Sequence, residues 1–598
     1  MKFIVPLVFS VLVGSLYLTP PLAIFRHFDG AFLLNRDRYS DELLLYAPRA
    51  REVADGHFPP SDLFYSGETP ALLTVNPLPP VFLGVFVALF GDINRGYLAA
   101  LFFFGATLFC LFYFLGRLIF RNWLWGLVIG LVGTLTPMVI HLPRAFLSPA
   151  NFLNIVLKNF IPLVKTPLDK LFLARFDDPL LTLPIYLLAV IFFFWFWEKP
   201  AWWPAVGAGF LAGVLFYTYF HYWFFWTVAL GIIFLATLIF WRSDRERLRY
   251  FLILLTVLTI TALPYLVSYL EFTNLRAHQE FLLRFNVQFG RGSGFATAWP
   301  DMLFYVLLSI VIYAVYFKKD KPKALLFWCL LLTAFIIWHT QIFFGFVPSL
   351  EHWRKAIGLI IFIMLLDLLA VAVSKVQAKK AIAGLLLVLA ALLITKKIVN
   401  TAVVQSLPPA ILEQYPYPEE VIASLDWIKK NLAGEPKIVS PSFITSYYLL
   451  SYTSARPFLP TGLLTLASNE DLERRFLLAN KVFGITEEIL EKRLRGTFRL
   501  DCSPACYPHT NKNLNATKDD LYSEYFRNRE TESNAIPEGR IRLLLDNYEE
   551  LTADWFDIES DYVYFGPWEK QFGDLLVNDP RLKIVYQTPL VVIYELGH

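Results

Sequence analysis

The sequence predicts a mainly α fold: a polytopic membrane helix bundle of about 11 spans, N-terminus in and C-terminus out, carrying an extracytoplasmic α/β C-terminal domain. Three observations predict it. The 598 residues are 56% hydrophobic and 17% aromatic, and the mean hydropathy is +0.50, the profile of a polytopic membrane protein. Apolar runs of bilayer length recur as far as residue 399 and then give way to a polar sequence. Lys and Arg collect in alternate short loops. A net charge of +3 without a long basic run argues against a nucleic-acid partner.

The first run, Phe3 to Phe25, is too long and too uniformly apolar for a cleaved signal and reads as a retained anchor. The loop after it holds Arg36-Asp37-Arg38-Tyr39-Ser40-Asp41-Glu42, then Tyr46-Ala47-Pro48-Arg49-Ala50-Arg51-Glu52. Ser40 is a good N-cap, and Asp41 and Glu42 then fill a first turn where the helix dipole favours acids. Leu43, Ala47, Ala50 and Ala54 repeat at helical spacing, with Asp41, Arg49 and Glu52 on another face. Gly56 is a stop. This predicts a short amphipathic helix lying on the membrane surface, with Asp41 and Glu42 either as capping acids or as an acidic pair available for chemistry. Pro77 to Gly91 is apolar but short, and reads as an interfacial or re-entrant helix.

Further runs follow at 95–117, 123–141, 179–197, 203–219, 222–241, 250–270, 301–317, 324–343, 356–374 and 381–399. If 77–91 does not cross, the basic clusters all fall inside, as the positive-inside rule asks. These clusters are Arg117 and Arg121, Lys199, Arg242 to Arg249, Lys318 to Lys323, and Lys375 to Lys380. If 77–91 crosses, every cluster falls outside. The non-crossing topology puts loops 25–94, 142–178, 271–300 and 344–355 outside, together with 401–598. The expected division is a transmembrane domain over 1–400 and an extracytoplasmic α/β domain over 401–598.

Within the latter, Glu419 to Leu432 reads as a helix, Lys437 to Ser440 as a strand, Glu470 to Arg495 as one helix and the surroundings of Leu543 as another. Tyr562 to Phe565 and Val591 to Tyr594 read as closing strands, and 501–539 as an irregular insertion. Of the four cysteines, Cys110 and Cys329 lie in apolar runs, while Cys502 and Cys506 share the polar tail and could pair or ligate.

Chemistry is sought at the outer ends of the spans, where charge beside a bilayer is costly and kept for a reason. Besides Asp41 and Glu42, the candidates are Asp177 and Asp178, His352 with Arg354 and Lys355, and Arg291 in a Gly-rich loop with Arg276, His278 and Arg284. Adjacent acids offer oxygen ligands to a divalent ion, or cap the helix that starts at Pro179. Arg and Lys suit phosphate, and Trp353 beside them equally suits an interfacial belt. Tyr217 to Trp223 form another aromatic group, either belt or groove.

Asp41-Glu42, Tyr46-Ala47, Ala50-Arg51 and Gly56-His57-Phe58-Pro59, followed by Leu78 to Leu83 and Phe90-Gly91, resemble the GT-C superfamily of polytopic glycosyltransferases. That superfamily includes protein O-mannosyltransferases and aminoarabinose transferases of lipid A. The closing Asp561-Tyr562-Val563-Tyr564-Phe565-Gly566-Pro567-Trp568-Glu569, with Val592 to Glu595, is similar to tails of uncharacterised archaeal and bacterial members. Pro48 departs from the pattern and predicts a helix start at that point. The Trp-Trp-Asp motif of oligosaccharyltransferases is absent.

The resemblance implies transfer of a sugar from a polyprenyl-phosphate donor to a lipid, glycan or protein acceptor on the outer face of the plasma membrane. Asp41, with Glu42, would be the base. Tyr46, Arg49, Arg291, His352, Arg354 and Lys355 would bind substrate, and Asp177 and Asp178 would hold Mg or Mn in a metal-dependent member. Competing classes are a transporter or flippase of lipid-linked saccharide and a non-catalytic receptor or assembly protein. A transporter needs an intramembrane ionisable path, for which Asp367 is the clearest residue.

Overall fold

In the computed structural model the described residues are 4–27, 46–60, 62–63, 65, 72–73, 75–136, 139, 176–240, 245–284, 287–290, 299–348, 352–376, 378–405, 419–459, 465–501, 516–518, 536–573 and 579–597. Asp41, Glu42, Arg291, Cys502 and Cys506 lie outside them, and Asp177 and Asp178 are described for their backbone alone.

Among the described residues, every apolar run of the sequence contains a helix. Eight helices among the described residues are long and apolar enough to cross a membrane, from Ile4–Ala23 to Lys380–Val399, and Leu78–Phe90, Trp123–Leu135, Trp202–Tyr217 and Asp301–Tyr316 are shorter apolar helices. The protein is an integral membrane helix bundle with a small sheet domain. Its spans are capped by their own loops: Asp92 accepts from the Arg95 N–H, Asn122 from Leu124 and Asp320 from Lys323. Asp367 is locked among the basic loops, accepting from Lys323 Nζ at 3.1 Å and from the Tyr316 hydroxyl.

Polar residues 46–56 behave otherwise than their hydrophobic pattern predicts. The described helix is Ala47–Ala54, with Pro48 in its first turn and Gly56 beyond its end at φ +97°. Both of its faces are covered: Ala47 and Ala50 are buried, and so are Arg49 and Glu52. The apolar face meets Leu78–Phe90 so closely that a Cβ on Gly84 would stand 2.8 Å from Val53 Cβ and from the Ala50 carbonyl. The polar face meets the Phe443–Tyr452 helix of the C-terminal domain. The amphipathic pattern does not show this second cover, because hydrophobicity alone cannot register a polar partner on the other face.

In that domain the strand order is Arg456–Pro457, Lys437–Val439, Tyr562–Phe565, Val592–Leu596, Leu582–Gln587. The Lys437–Val439 strand runs parallel to both neighbours, and the rest is antiparallel. Phe443–Tyr452, capped by Ser442, is the crossover between the two parallel strands on one edge. The Asp561-to-Glu569 motif staples this sheet. Asp561 accepts from the Lys437 N–H at 2.8 Å, Tyr564 and Ser424 share a hydroxyl bond at 3.0 Å, and Trp568 stacks on Tyr448. Glu569, buried, accepts from Ser440 Oγ at 2.6 Å, from Thr445 Oγ1 and from the Gly566 N–H at 2.9 Å.

Two expectations change here. Glu470 to Arg495 is two helices, Asn469–Val482 and Glu487–Leu494, because Gly484 turns the chain at φ +64° and Thr486 caps a new start. Part of the insertion is ordered as a ladder, Arg499–Asp501 pairing antiparallel with Ala516–Lys518.

Candidate functional site

At the end of the bundle that meets the C-terminal domain, the Trp353–Ser374 helix begins with three basic or titratable residues in a row around a Trp. His352 is its N-cap but makes no capping bond with its side chain. Its ring turns to Tyr219, whose hydroxyl meets Nδ1. Arg354 and Lys355 occupy the first turn, and no acid accompanies them there. A helix N-terminus carries partial positive charge, so cations in that turn oppose the dipole. Local helix stability therefore does not explain their position. Arg354 and Lys355 thus place two cations at a helix N-terminus, a position whose dipole also favours an anion.

The walls of this spot are aromatic. Lys355 Nζ stands 5.5 Å from the Tyr219 ring centroid, and the Arg354 guanidinium lies 5.9 Å over Trp338. Ring quadrupoles attract such cations by about 0.5–2 kcal/mol each. Trp338 Nε1 donates to the Tyr305 hydroxyl at 2.9 Å, and Asp301 lies within electrostatic reach of that hydroxyl. His221 packs edge-on to Trp353, centroids 4.4 Å apart. Tyr186 stacks on Tyr222 at 4.5 Å and donates its hydroxyl to the Ala356 carbonyl at 3.0 Å. That bond fixes the Leu183–Glu198 helix against the start of Trp353–Ser374.

Among the described residues, the elements bearing Tyr46, Arg49, Asp177 and Asp178 pack in series. Asp177 and Asp178 lie on the π-turn Phe176–Leu181, immediately before Leu183–Glu198, and that turn packs against Leu78–Phe90. Leu78–Phe90 in turn carries Ala47–Ala54, with Tyr46 at its N-cap. Arg49, 5% exposed, donates to the Val75 carbonyl, which ties that helix to the chain entering Leu78–Phe90. Thus His352, Arg354 and Lys355 come together, Tyr46 and Arg49 stand on one element, and the aspartates sit on the turn between.

Other polar residues noticed in the sequence do structural work. Arg284 donates to the Thr465 and Ala467 carbonyls at 2.8 and 2.9 Å and to Asn469 Oδ1 at 2.6 Å. Arg276 pairs with Glu470 at 3.4 Å. Buried Arg284 docks the C-terminal domain, and the exposed Arg276–Glu470 pair lies at its edge. His339 turns Nδ1 to the Phe335 carbonyl at the end of its own helix. Sequence reasoning missed Tyr186, Tyr305 and Asp301, which carry no local motif. It also passed over Lys396 and Lys397, buried in the last span, though a Lys-Lys pair inside an apolar run is a readable signal.

No family model matches this chain, and no curated protein sequence matches it. Among solved structures it is similar to ArnT from Cupriavidus metallidurans bound to undecaprenyl phosphate, at 11% identity and a TM-score of 0.43 over 96% of each chain. It is likewise similar to ArnT from that organism in the apo state, at 12% identity and a TM-score of 0.43, over 96% of this chain and 95% of the other. Likeness at this level leaves the chemistry to the residues of this chain itself.

Proposed function

We propose that the protein is a GT-C-type membrane glycosyltransferase that moves a sugar from a polyprenyl-phosphate donor to a lipid, glycan or protein acceptor on the extracytoplasmic face of the plasma membrane. The observation that carries this reading is the pair of cations, Arg354 and Lys355, in a first helical turn walled by Tyr219 and Trp338. Such a spot favours a phosphate at the membrane boundary, and favours it more as charge develops.

In the reaction the acceptor oxygen attacks the anomeric carbon while the bond from that carbon to the phosphate oxygen breaks. Asp41, with Glu42 beside it in the chain, takes the acceptor proton. The polyprenyl phosphate departs with an added negative charge, which Lys355, Arg354 and His352 neutralise. Tyr46, Arg49 and Arg291 bind the saccharide or its phosphate. Asp177 and Asp178 offer oxygen donors suited to Mg or Mn, which would add charge neutralisation at the phosphate.

A transporter reading needs Asp367 on an ion path, whereas Asp367 accepts from Lys323 Nζ and the Tyr316 hydroxyl. The test is incubation of purified protein with a panel of labelled polyprenyl-phosphate sugars. Label that leaves the lipid only when the protein is present supports the proposal, and a full panel left intact overturns it.

A further inference from the structure

Glu52 is a carboxylate where a carboxylate is expensive. It is 1% exposed, on a helix of eight residues pressed between the membrane bundle and the C-terminal domain. An ion taken out of water there needs a partner. The partner comes from the far end of the chain: Arg456 Nη2 donates to Glu52 Oε1 at 3.1 Å. The same guanidinium holds Glu435 through Nη2 at 2.9 Å and Nε at 3.1 Å. Next to it, Arg51 Nε donates to the Leu450 carbonyl at 2.9 Å.

The surrounding contacts repeat the pattern. Asp62 accepts from Thr465 Oγ1 at 2.8 Å and from the Leu466 N–H at 2.7 Å. Arg475 lies 4.5 Å over the Tyr65 ring. Asn94, near the start of the Ile93–Phe120 helix, accepts from the Tyr452 hydroxyl at 3.1 Å. Most of these ties are polar and oriented, so they fix direction as well as contact.

Resting on the transferase reading, we propose that Arg456 is a positioning residue of the reaction. By neutralising Glu52 it sets the direction of Ala47–Ala54, and with it the place of Tyr46 at the helix N-cap. The C-terminal domain is then a structural component of the site, and its Arg456–Pro457 strand supplies the cation that meets Glu52. Glu52, His57 and Glu435 also bring ligand atoms within 4.8 Å of one another, an arrangement that could hold a cation. Arg456 already supplies positive charge to both carboxylates, so the proposal assigns that role to the guanidinium.

The experiment compares Arg456→Ala, Arg456→Lys and the full-length wild type by sugar transfer and by amide hydrogen exchange. Arg456→Ala is expected to lower kcat by about 100-fold, the scale of a small misplacement of reacting groups, with KM for the donor within about threefold. Amides of Ala47–Ala54 should exchange faster while those of Tyr562–Phe565 keep their protection. Arg456→Lys, which retains a cation, should recover most of the lost kcat. A wild type that transfers no sugar defeats the transferase reading, and the exchange arm still decides the positioning of the helix. Unchanged exchange in Ala47–Ala54 overturns the proposal. So does an equal loss of protection in Tyr562–Phe565, which would make Arg456 a general stabiliser, or rescue of Arg456→Ala by Mn, which would make the cluster a metal site.

Discussion

The ammonium of Lys355 stands 5.5 Å over the ring of Tyr219, and the hydroxyl of that same Tyr219 meets His352 Nδ1. One aromatic residue from the start of the Phe220–Phe240 helix thus orders two polar residues at the start of Trp353–Ser374. Lys355→Gln should lower kcat/KM for transfer by about 100-fold, the usual cost of one oriented donor on developing charge. Tyr219→Phe keeps the ring under Lys355 and loses the hydroxyl to His352, so it should cost only about tenfold. Steady-state transfer from a labelled donor checks both.

Glu569 accepts from three donors on three different segments, Ser440, Thr445 and Gly566. Glu569→Ala strands these donors inside the domain and should destabilise it by about 3 kcal/mol. Glu569→Gln keeps one acceptor oxygen and should cost less. Thermal unfolding of the purified protein, followed by Trp fluorescence, separates the two.

Acid should loosen the seam between the C-terminal domain and the first loop. Burial pushes Glu435 up, but the Arg456 hydrogen bond and charge, with His57 and Arg51 close by, bring it below the usual carboxylate range. A carboxylate depressed in the folded state contributes stability above its unfolded pKa of about 4.3, and that contribution fades as pH falls through the lower folded value. Melting temperature should therefore drop on acidification below about pH 4.3, with a shallower slope in Glu435→Gln. Glu435 is 43% exposed in its side chain, so water screening keeps the difference small. Identical slopes in the two proteins would refute the point.

Asp367 distinguishes an enzyme from a coupled transporter. Asp367→Asn leaves Lys323 without its carboxylate and should cost about 3 kcal/mol or less of stability, since the pair is only partly buried. Sugar transfer should stay within about twofold of wild type, because Asp367 sits among the basic loops, away from Lys355. Loss of transfer in a folded Asp367→Asn protein would favour an ion-coupled mechanism.

The bundle was legible because length and hydropathy suffice for a helix in lipid, where backbone groups must satisfy one another. Most runs from Ile4–His27 to Lys379–Gln405 are helices close to their expected bounds, while the run expected at 123–141 is described as a helix over Trp123–Leu135. Cations at the start of Trp353–Ser374 were legible as charge beside a bilayer. The Tyr217-to-Trp223 group was legible as belt or groove, but its meeting with these cations was not, because Tyr219 and Lys355 are distant in sequence. The burial of Glu52 was hidden for the same reason, as its partner Arg456 is 404 residues away. Phe443–Tyr452 and Leu582–Gln587 also escaped notice. The first is an apolar crossover helix, covered along nearly its whole length and so without amphipathic period, and the second is a half-exposed edge strand.

The most direct measurement follows radiolabelled sugar on a polyprenyl phosphate mixed with wild type or Asp41→Asn, together with retention of that lipid by each protein. The account predicts that wild type moves the label off the lipid, while Asp41→Asn binds the lipid equally well and leaves the label in place. Transfer by Asp41→Asn at the wild-type rate would contradict it.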